Sequence, residues 1–449
     1  MKFNDITNIN FFKKIIVKIL LLTIIFSQNV FSKPIPPGSG EGDVPANILI
    51  LLDSSDSMGV NILTGAAMYI PEDIIEDNDG NLIVSQWNRG LIKLNYSDAT
   101  RDMGFADVGV FMGADPVNSQ NLSTTTLGTC VGKDSRTDGA DRMAYDSTND
   151  IVYVISRSGT PTNHPDYEAF DPVDKGGKAP KIVSLTSDGV CVDVIEWDDL
   201  TFTPYVIAIR QIDSEEHMFV IGRDNLAADY TQGKMYSKNI TTGDVTMCPG
   251  LESKYFSTIA SKIADIDVTS DGSYLYMAWK GWIFRYAMTK SASENTYCPT
   301  TDGSGDADAV KGTNNKVYTN VYKRGLGKSG FESASSIALD PDDDTKIYVA
   351  DIADDGVKKF TIGSDVVGGD HDFTLVKAKG DSTDKENTTS DSKIYLRDPI
   401  SIYAGVKNKS AGGNNVVYVG DKIPTIEVFD RSLANLTWQK ELGGPKVTR

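Results

Sequence analysis

An all-β fold assembled from one repeated small sheet is what three features of this 449-residue sequence predict. Six stretches share a common pattern, apolar and polar residues alternate with period two inside each, and no sustained helical periodicity occurs between residues 60 and 440. In each copy a short apolar strand leads into an acidic or Gly/Asn turn. A second strand rich in Val, Ile, Tyr and Met follows, then a polar gap and a third alternating strand. The copies run IIEDNDGNLIVSQW…GLIKLN at 74–95, MAYDSTNDIVYVISR…KIVSL at 143–185 and VIAIRQIDSEEHMFVIGRD…KMYSKNI at 206–240. They continue with IADIDVTSDGSYLYMAWKGWIFRYAM at 263–288, SIALDPDDDTKIYVADIADDGVKKFTI at 336–362 and ISIYAGVKNKSAGGNNVVYVGDKIPTIEVFD at 400–430.

A sheet of three or four such strands cannot bury both faces alone. Stacking the sheets around a centre buries them and hides most strand edges. The expectation is therefore a six-bladed β-propeller over residues 64–440, with Leu436 to Lys440 as one outer strand. The copies start on average about 65 residues apart, against roughly 40–45 for compact blades, which predicts insertions at 99–137, 157–180, 289–329 and 363–396. Such hydrophilic loops project from a rim, where propellers bind partners. A degenerate seventh blade within 99–137 is the alternative to the count of six.

Before the repeats, the first 32 residues read as a signal peptide: Lys13 and Lys14 precede the apolar stretch Ile15–Phe26, and Val30 and Ser32 suit cleavage before Lys33. That run is short for a membrane span. The chain is expected to be exported to the periplasm, outer surface or medium, with a retained anchor as the alternative. Residues 33–46 form a linker. The whole chain carries a net charge of −18, which argues against nucleic acid and anionic lipid as partners. Four cysteines, at 130, 191, 248 and 298, include no C-x-x-C pair and permit two disulfides in any of three pairings.

Between linker and repeats, Asn47–Gly59 reads NILILLDSSDSMG. An apolar run ending in Asp53 suits a buried strand, and Asp53, Ser55 and Ser57 place three oxygen donors on one tight loop at its end. Ligands of open α/β sheets bind at that end of a strand. The lead-in DVPANILILLDSSDSMG resembles a von Willebrand factor A domain and its metal-ion-dependent adhesion site, most of all the A domain of bacterial type IV pilus tip adhesins. The fifth copy, IALDPDDDTKIYVADIADDGVKKF, resembles the NHL repeats of six-bladed propellers.

The first resemblance implies that Asp53, Ser55 and Ser57 hold Mg2+ or Ca2+, whose shell a partner carboxylate completes in surface adhesion or pilus assembly. The other ligands and the helix that should follow Met58 are not in this sequence. The closing GGPKVTR resembles the approach to that helix, so 441–449 reads as a return segment. The expected arrangement is a propeller inserted into the metal loop of an A domain whose remainder lies outside this chain. The alternative is a self-contained propeller in which the 47–52 strand joins the last blade.

The acidic turns Asp77–Gly80, Asp146–Asp150, Ser270–Gly272 and Asp340–Asp344 lack the complete calcium-loop spacing and read as hairpin turns. His164, His217 and His371 read as solvated loop residues, and Trp87, Trp197, Trp279, Trp282 and Trp438 as blade packing. A second functional class remains open: calcium-dependent lactonases and lyases are also six-bladed propellers, with ligands from several blades converging in the central channel. A plugged channel would favour binding; convergent carboxylates or histidines at its mouth would favour catalysis.

Overall fold

The computed structural model describes residues 70–86, 90–107, 109–113, 126, 128–130, 135, 137, 140–156, 181–195, 202–224, 232–248, 263–279, 282–299, 331, 333–362, 373–379, 396, 398–406, 415–422, 425–434, 436–441 and 446–448. The chain divides into two compact units, residues 1–54 and 55–449, and every described residue belongs to the second. The A-type stretch 47–59, with Asp53, Ser55 and Ser57, lies outside the described residues, as do His164, His371, Trp87 and Trp197.

Among the described residues, six antiparallel sheets follow one another, each made of consecutive strands. Blade 1 holds β1 (Pro71–Glu76), β2 (Leu82–Gln86) and β3 (Gly90–Leu94). Blade 2 holds β4 (Ala140–Asp146), β5 (Ile151–Ser156), β6 (Lys181–Thr186) and β7 (Cys191–Ile195). Blade 3 holds β8 (Phe202–Ile212), β9 (Glu215–Asp224), β10 (Gln232–Asn239) and β11 (Val245–Met247). Blade 4 holds β12 (Asp265–Val268), β13 (Tyr274–Trp279), β14 (Trp282–Lys290) and β15 (Tyr297–Pro299). Blade 5 holds β16 (Ala334–Asp340), β17 (Asp343–Asp351), β18 (Gly356–Ile362) and β19 (Phe373–Lys379). Blade 6 holds β20 (Pro399–Val406), β21 (Asn415–Asp421), β22 (Thr425–Asp430), β23 (Leu436–Glu441) and β24 (Lys446–Thr448).

The first strands neighbour one another in the cycle β1, β4, β8, β12, β16, β20 and back to β1, which closes the ring. Six apolar clusters fill the six spaces between blades. The second strand of each blade contributes alternate residues to opposite clusters. In β2, Ile83 faces blade 2 while Leu82 and Val84 face blade 6; in β17, Ile347 and Val349 face blade 4 while Tyr348 and Ala350 face blade 6. The period-two pattern thus becomes burial on both faces of every sheet.

All six predicted copy starts fall within a first strand or two residues before one. The outermost strands are less regular, and they correct two of the predicted insertions. Residues 289–329 begin with the end of β14 and all of β15, and 363–396 contain β19. The described part of 99–137 adds no seventh blade: Arg101 and Phe111 make isolated antiparallel bridges to Leu94 and Leu91, standing in for a fourth strand of blade 1. Gly90, at φ +73, is confined to glycine because a Cβ there would lie 2.2 Å from the Phe111 carbonyl oxygen.

Two disulfides select one of the three pairings. Cys130–Cys191 ties the segment entering blade 2 to its outer strand, and Cys248–Cys298 joins the outer edges of blades 3 and 4. They enclose 61 and 50 residues of separation and restrain the unfolded chain accordingly. Reduction of the folded protein, or a Cys248→Ser/Cys298→Ser double variant, is expected to lower unfolding free energy by about 2–4 kcal/mol per lost bridge. Guanidinium titrations with and without reductant would measure this, and coincident midpoints would refute it.

Candidate functional site: the central channel

In five blades the residue just before the apolar residue that packs on the preceding blade is polar: Asp73, Arg142, Asp265, Ser336 and Ser401, with Val206 at that position in blade 3. At three steps around the ring its oxygen accepts an amide N–H from the next blade. The Asp73 carboxylate accepts the N–H of Met143 at 2.7 Å, Asp265 that of Ile337 at 3.0 Å, and the Ser336 hydroxyl that of Ile402 at 3.1 Å. Both carboxylates also accept the N–H of their own successor, from Ile74 and Ile266 at 2.9 Å each. Asp267, one step further along β12, repeats the device with Val268 and Leu339, both at 2.7 Å. Inner strands of neighbouring blades share no ladder, so side-chain acceptors satisfy amides that would otherwise be buried without partners.

Arg142 crosses the channel at this level. Its guanidinium donates to the carbonyl oxygens of Ser335 at 2.7 Å, Glu72 at 3.3 Å and Ile400 at 3.4 Å, which belong to blades 5, 1 and 6. Asp73 lies 3.9 Å from the same guanidinium. Burial opposes the charge of Arg142, but Asp265 and Asp73 outweigh it and raise the pKa. Burial also raises both acids, against the pull of Arg142; for Asp73 the value reaches about 7. The two terminal nitrogens of this guanidinium are thus engaged by carbonyls of three blades, with the Asp73 carboxylate alongside.

From Asp73 and Asp265 a cavity of about 440 Å³ runs along the inner strands to the turns that follow them, reaching Asn78, Ser147, Ser270 and Asp342. These acidic turns are occupied internally. Asp77 accepts the amides of Asp79 and Asn81, Asp146 those of Thr148 and Asn149, and Asp271 that of Ser273. Other groups tie blade to blade: Tyr145 accepts from the Asn78 amide, Asp344 pairs with Arg210 at 3.2 Å and accepts from Ser270, and Arg431 pairs with Asp340 at 2.8 Å. Lys93 pairs with Asp77 at 2.8 Å, both side chains being buried. Burial raises Asp267 despite Arg210 nearby. Among the described residues, no group of three or more His, Cys, Asp or Glu side chains is placed to hold a metal ion.

His217 departs from the expected solvated loop. It lies on β9, fully buried, edge-on to the Tyr297 ring at 5.0 Å, with Glu215 at 3.9 Å from its Nε2. Burial depresses its pKa, and Glu215 opposes the shift only in part. The signal that could have found it is its place inside the alternating stretch EEHMFVIGRD of the third copy. Arg142 was invisible to motif reading because its partners come from strands about 70 to 260 residues away. The one signal was a charged residue at the core-adjacent position of a copy. Trp279, Trp282 and Trp438 lie on β13, β14 and β23, while their side chains lie outside the described part.

No family model matches the chain, and no curated protein matches it. Solved structures with a similar course include the β-propeller domain of Cps50 (Swd1) from Myceliophteria thermophila, at 9% identity and TM-score 0.42, covering 85% of this chain and 88% of that one. A periplasmic gluconolactonase from Pseudomonas aeruginosa aligns at 14% identity and TM-score 0.41, covering 82% and 98%. A functionally unknown protein from Desulfotomaculum acetoxidans aligns at 12% identity and TM-score 0.35, covering 84% and 77%. The blade count rests on the six sheets and their interfaces, and these likenesses add nothing to it.

The two buried groups give the protein opposite pH responses. The folded state holds a proton on Asp73 that the unfolded chain releases, so this contribution is complete below about pH 4 and is lost as pH rises through about 7. His217 is depressed, so its contribution is lost as pH falls below about 6.5. Between pH 4 and 8, Asp73→Asn is expected to remove a decline on the order of 1–4 kcal/mol, and His217→Gln an acid-side loss. Denaturant unfolding across that range measures both. Parallel curves for wild type and Asp73→Asn would contradict the assignment.

Proposed function

We propose that this chain is an exported binding module, a propeller whose channel is structural and whose loops and A-type metal site engage a protein or surface ligand. The observation that carries this reading is the Arg142 guanidinium in the channel, whose terminal nitrogens bond carbonyls of blades 1, 5 and 6. The acidic turns at the far end of the cavity are likewise engaged in turn closure and blade-to-blade bonds rather than aimed together at a substrate. Two disulfides suit an oxidising compartment, and no described helix is long and apolar enough to cross a membrane.

Within that reading, Asp53, Ser55 and Ser57 hold Mg2+ or Ca2+, and the role is surface adhesion or pilus-type assembly. The motif and its resemblance to A domains support this. The first and last blades are neighbours, as insertion of a propeller into a host domain requires. Three ligands, two of them neutral, leave most of a hard cation's shell to water or to a partner carboxylate.

The test measures cation binding and catalysis on the same preparation. Mn2+ titration followed by water-proton relaxation is expected to show one weak site, with a Kd of about 10⁻⁴–10⁻³ M. Asp53→Ala should weaken it about tenfold or more. With Ca2+ present, aldonolactone hydrolysis should not exceed the blank. Calcium-dependent turnover abolished by Asp267→Asn would replace the binding reading with the channel-enzyme one, and an Asp53→Ala protein that binds Mn2+ unchanged would remove the metal site.

A further inference from the structure

Among the described residues, no strand is shared between the first and last blades. Each blade is built from consecutive strands, so blade 1 and blade 6 meet through side chains such as Ile74, Val84 and Leu94 against Tyr418, Ile426 and Val428. The stitch found at other steps is also missing here. By position, the Ser401 hydroxyl on β20 should accept the Ile74 N–H, yet that N–H bonds the carboxylate of Asp73 in its own strand. The Ser401 Oγ is fully buried and has no hydrogen-bond partner. The closing step therefore carries an orphaned hydroxyl where its neighbours carry a bond.

Arg142 reaches that step from blade 2. Its guanidinium donates to Glu72 on β1 and to Ile400 on β20, the strands on either side of the junction, and to Ser335 of blade 5 beyond it. We infer that Arg142 is the latch of the ring, joining the first and last blades at the channel in place of the missing amide-to-hydroxyl stitch. A planar fork with several donors is suited to this task, since it can serve carbonyls of three blades at once. A lysine ammonium is a compact point charge on a different reach and cannot reproduce the fork. The groups facing the latch are Asp73 on β1, Asp265 on β12, Asp141 on β4 and Glu72 on β1, which together keep the guanidinium charged. The seam between β1 and β20 is accordingly the place where the ring opens most readily, and its opening is set by Arg142.

Native-state hydrogen exchange on the full chain tests this. Arg142→Lys and Arg142→Met are expected to speed exchange of β1 and β20 amides by about tenfold or more. Amides of β9 and β13, in blades 3 and 4, should keep wild-type protection. Ser401→Ala, which removes only the orphaned hydroxyl, should leave the seam at least as protected as in the wild type. Unchanged β1 and β20 protection in the Arg142 variants, or an equal loss around the whole ring, would overturn the latch. So would a Ser401→Ala protein that loosens as much as Arg142→Met. Should the Arg142 variants fail to fold, exchange of the wild-type protein in low guanidinium decides. Joint opening of β1 and β20 before other blades is expected, and earlier opening of β9 or β13 would overturn the proposal.

Discussion

Two-sided burial of each blade is the constraint on which the rest of this structure depends. A sheet such as β16–β19 presents apolar residues on both faces, and neither face can be covered by its own strands. Six copies meet the demand only by arranging themselves in a ring, where every face finds the next sheet. This term is non-directional and large, so it tolerates wide variation in loops and edge strands.

The ring creates a second demand that apolar packing cannot meet. Inner strands converge on the channel without pairing, which leaves their amides facing one another's side chains. Asp73, Asp265, Asp267 and Ser336 answer by accepting N–H groups from the neighbouring blade. Burying carboxylates for this purpose is costly, as the raised pKa of Asp73, Asp265 and Asp267 records. Arg142 compensates for two of them while filling the space between. The polar residues at this level of the channel thus take part in joining blade to blade. That engagement is the ground for the binding role we propose, in which the loops and the Asp53, Ser55 and Ser57 motif would do the recognising.

What could be read from the residues alone was whatever is encoded over short distances. Period-two alternation and turn chemistry located the first strand of every copy, because both depend on neighbours two to five residues apart. The outer strands β11 and β19 escaped because they are short or exposed: Val245 and Met247 face solvent, as does Val376, so no alternation between core and surface marks them. The disulfide pairing was open by sequence because it depends on which outer edges become adjacent. His217 looked like a loop residue until β9 placed it against Tyr297.

By itself the sequence determined the class of fold, the number of repeated sheets, the turns between their first two strands and the oxygen-donor motif before them. Only the tertiary structure decided how the ring closes, which cysteines meet, and that Arg142 joins four blades in the channel. The physical reason is one of range. Hydrophobic period and turn preference are local properties of a chain, whereas a hydrogen bond between Arg142 and Ile400 joins groups that ring closure alone brings within 3.4 Å.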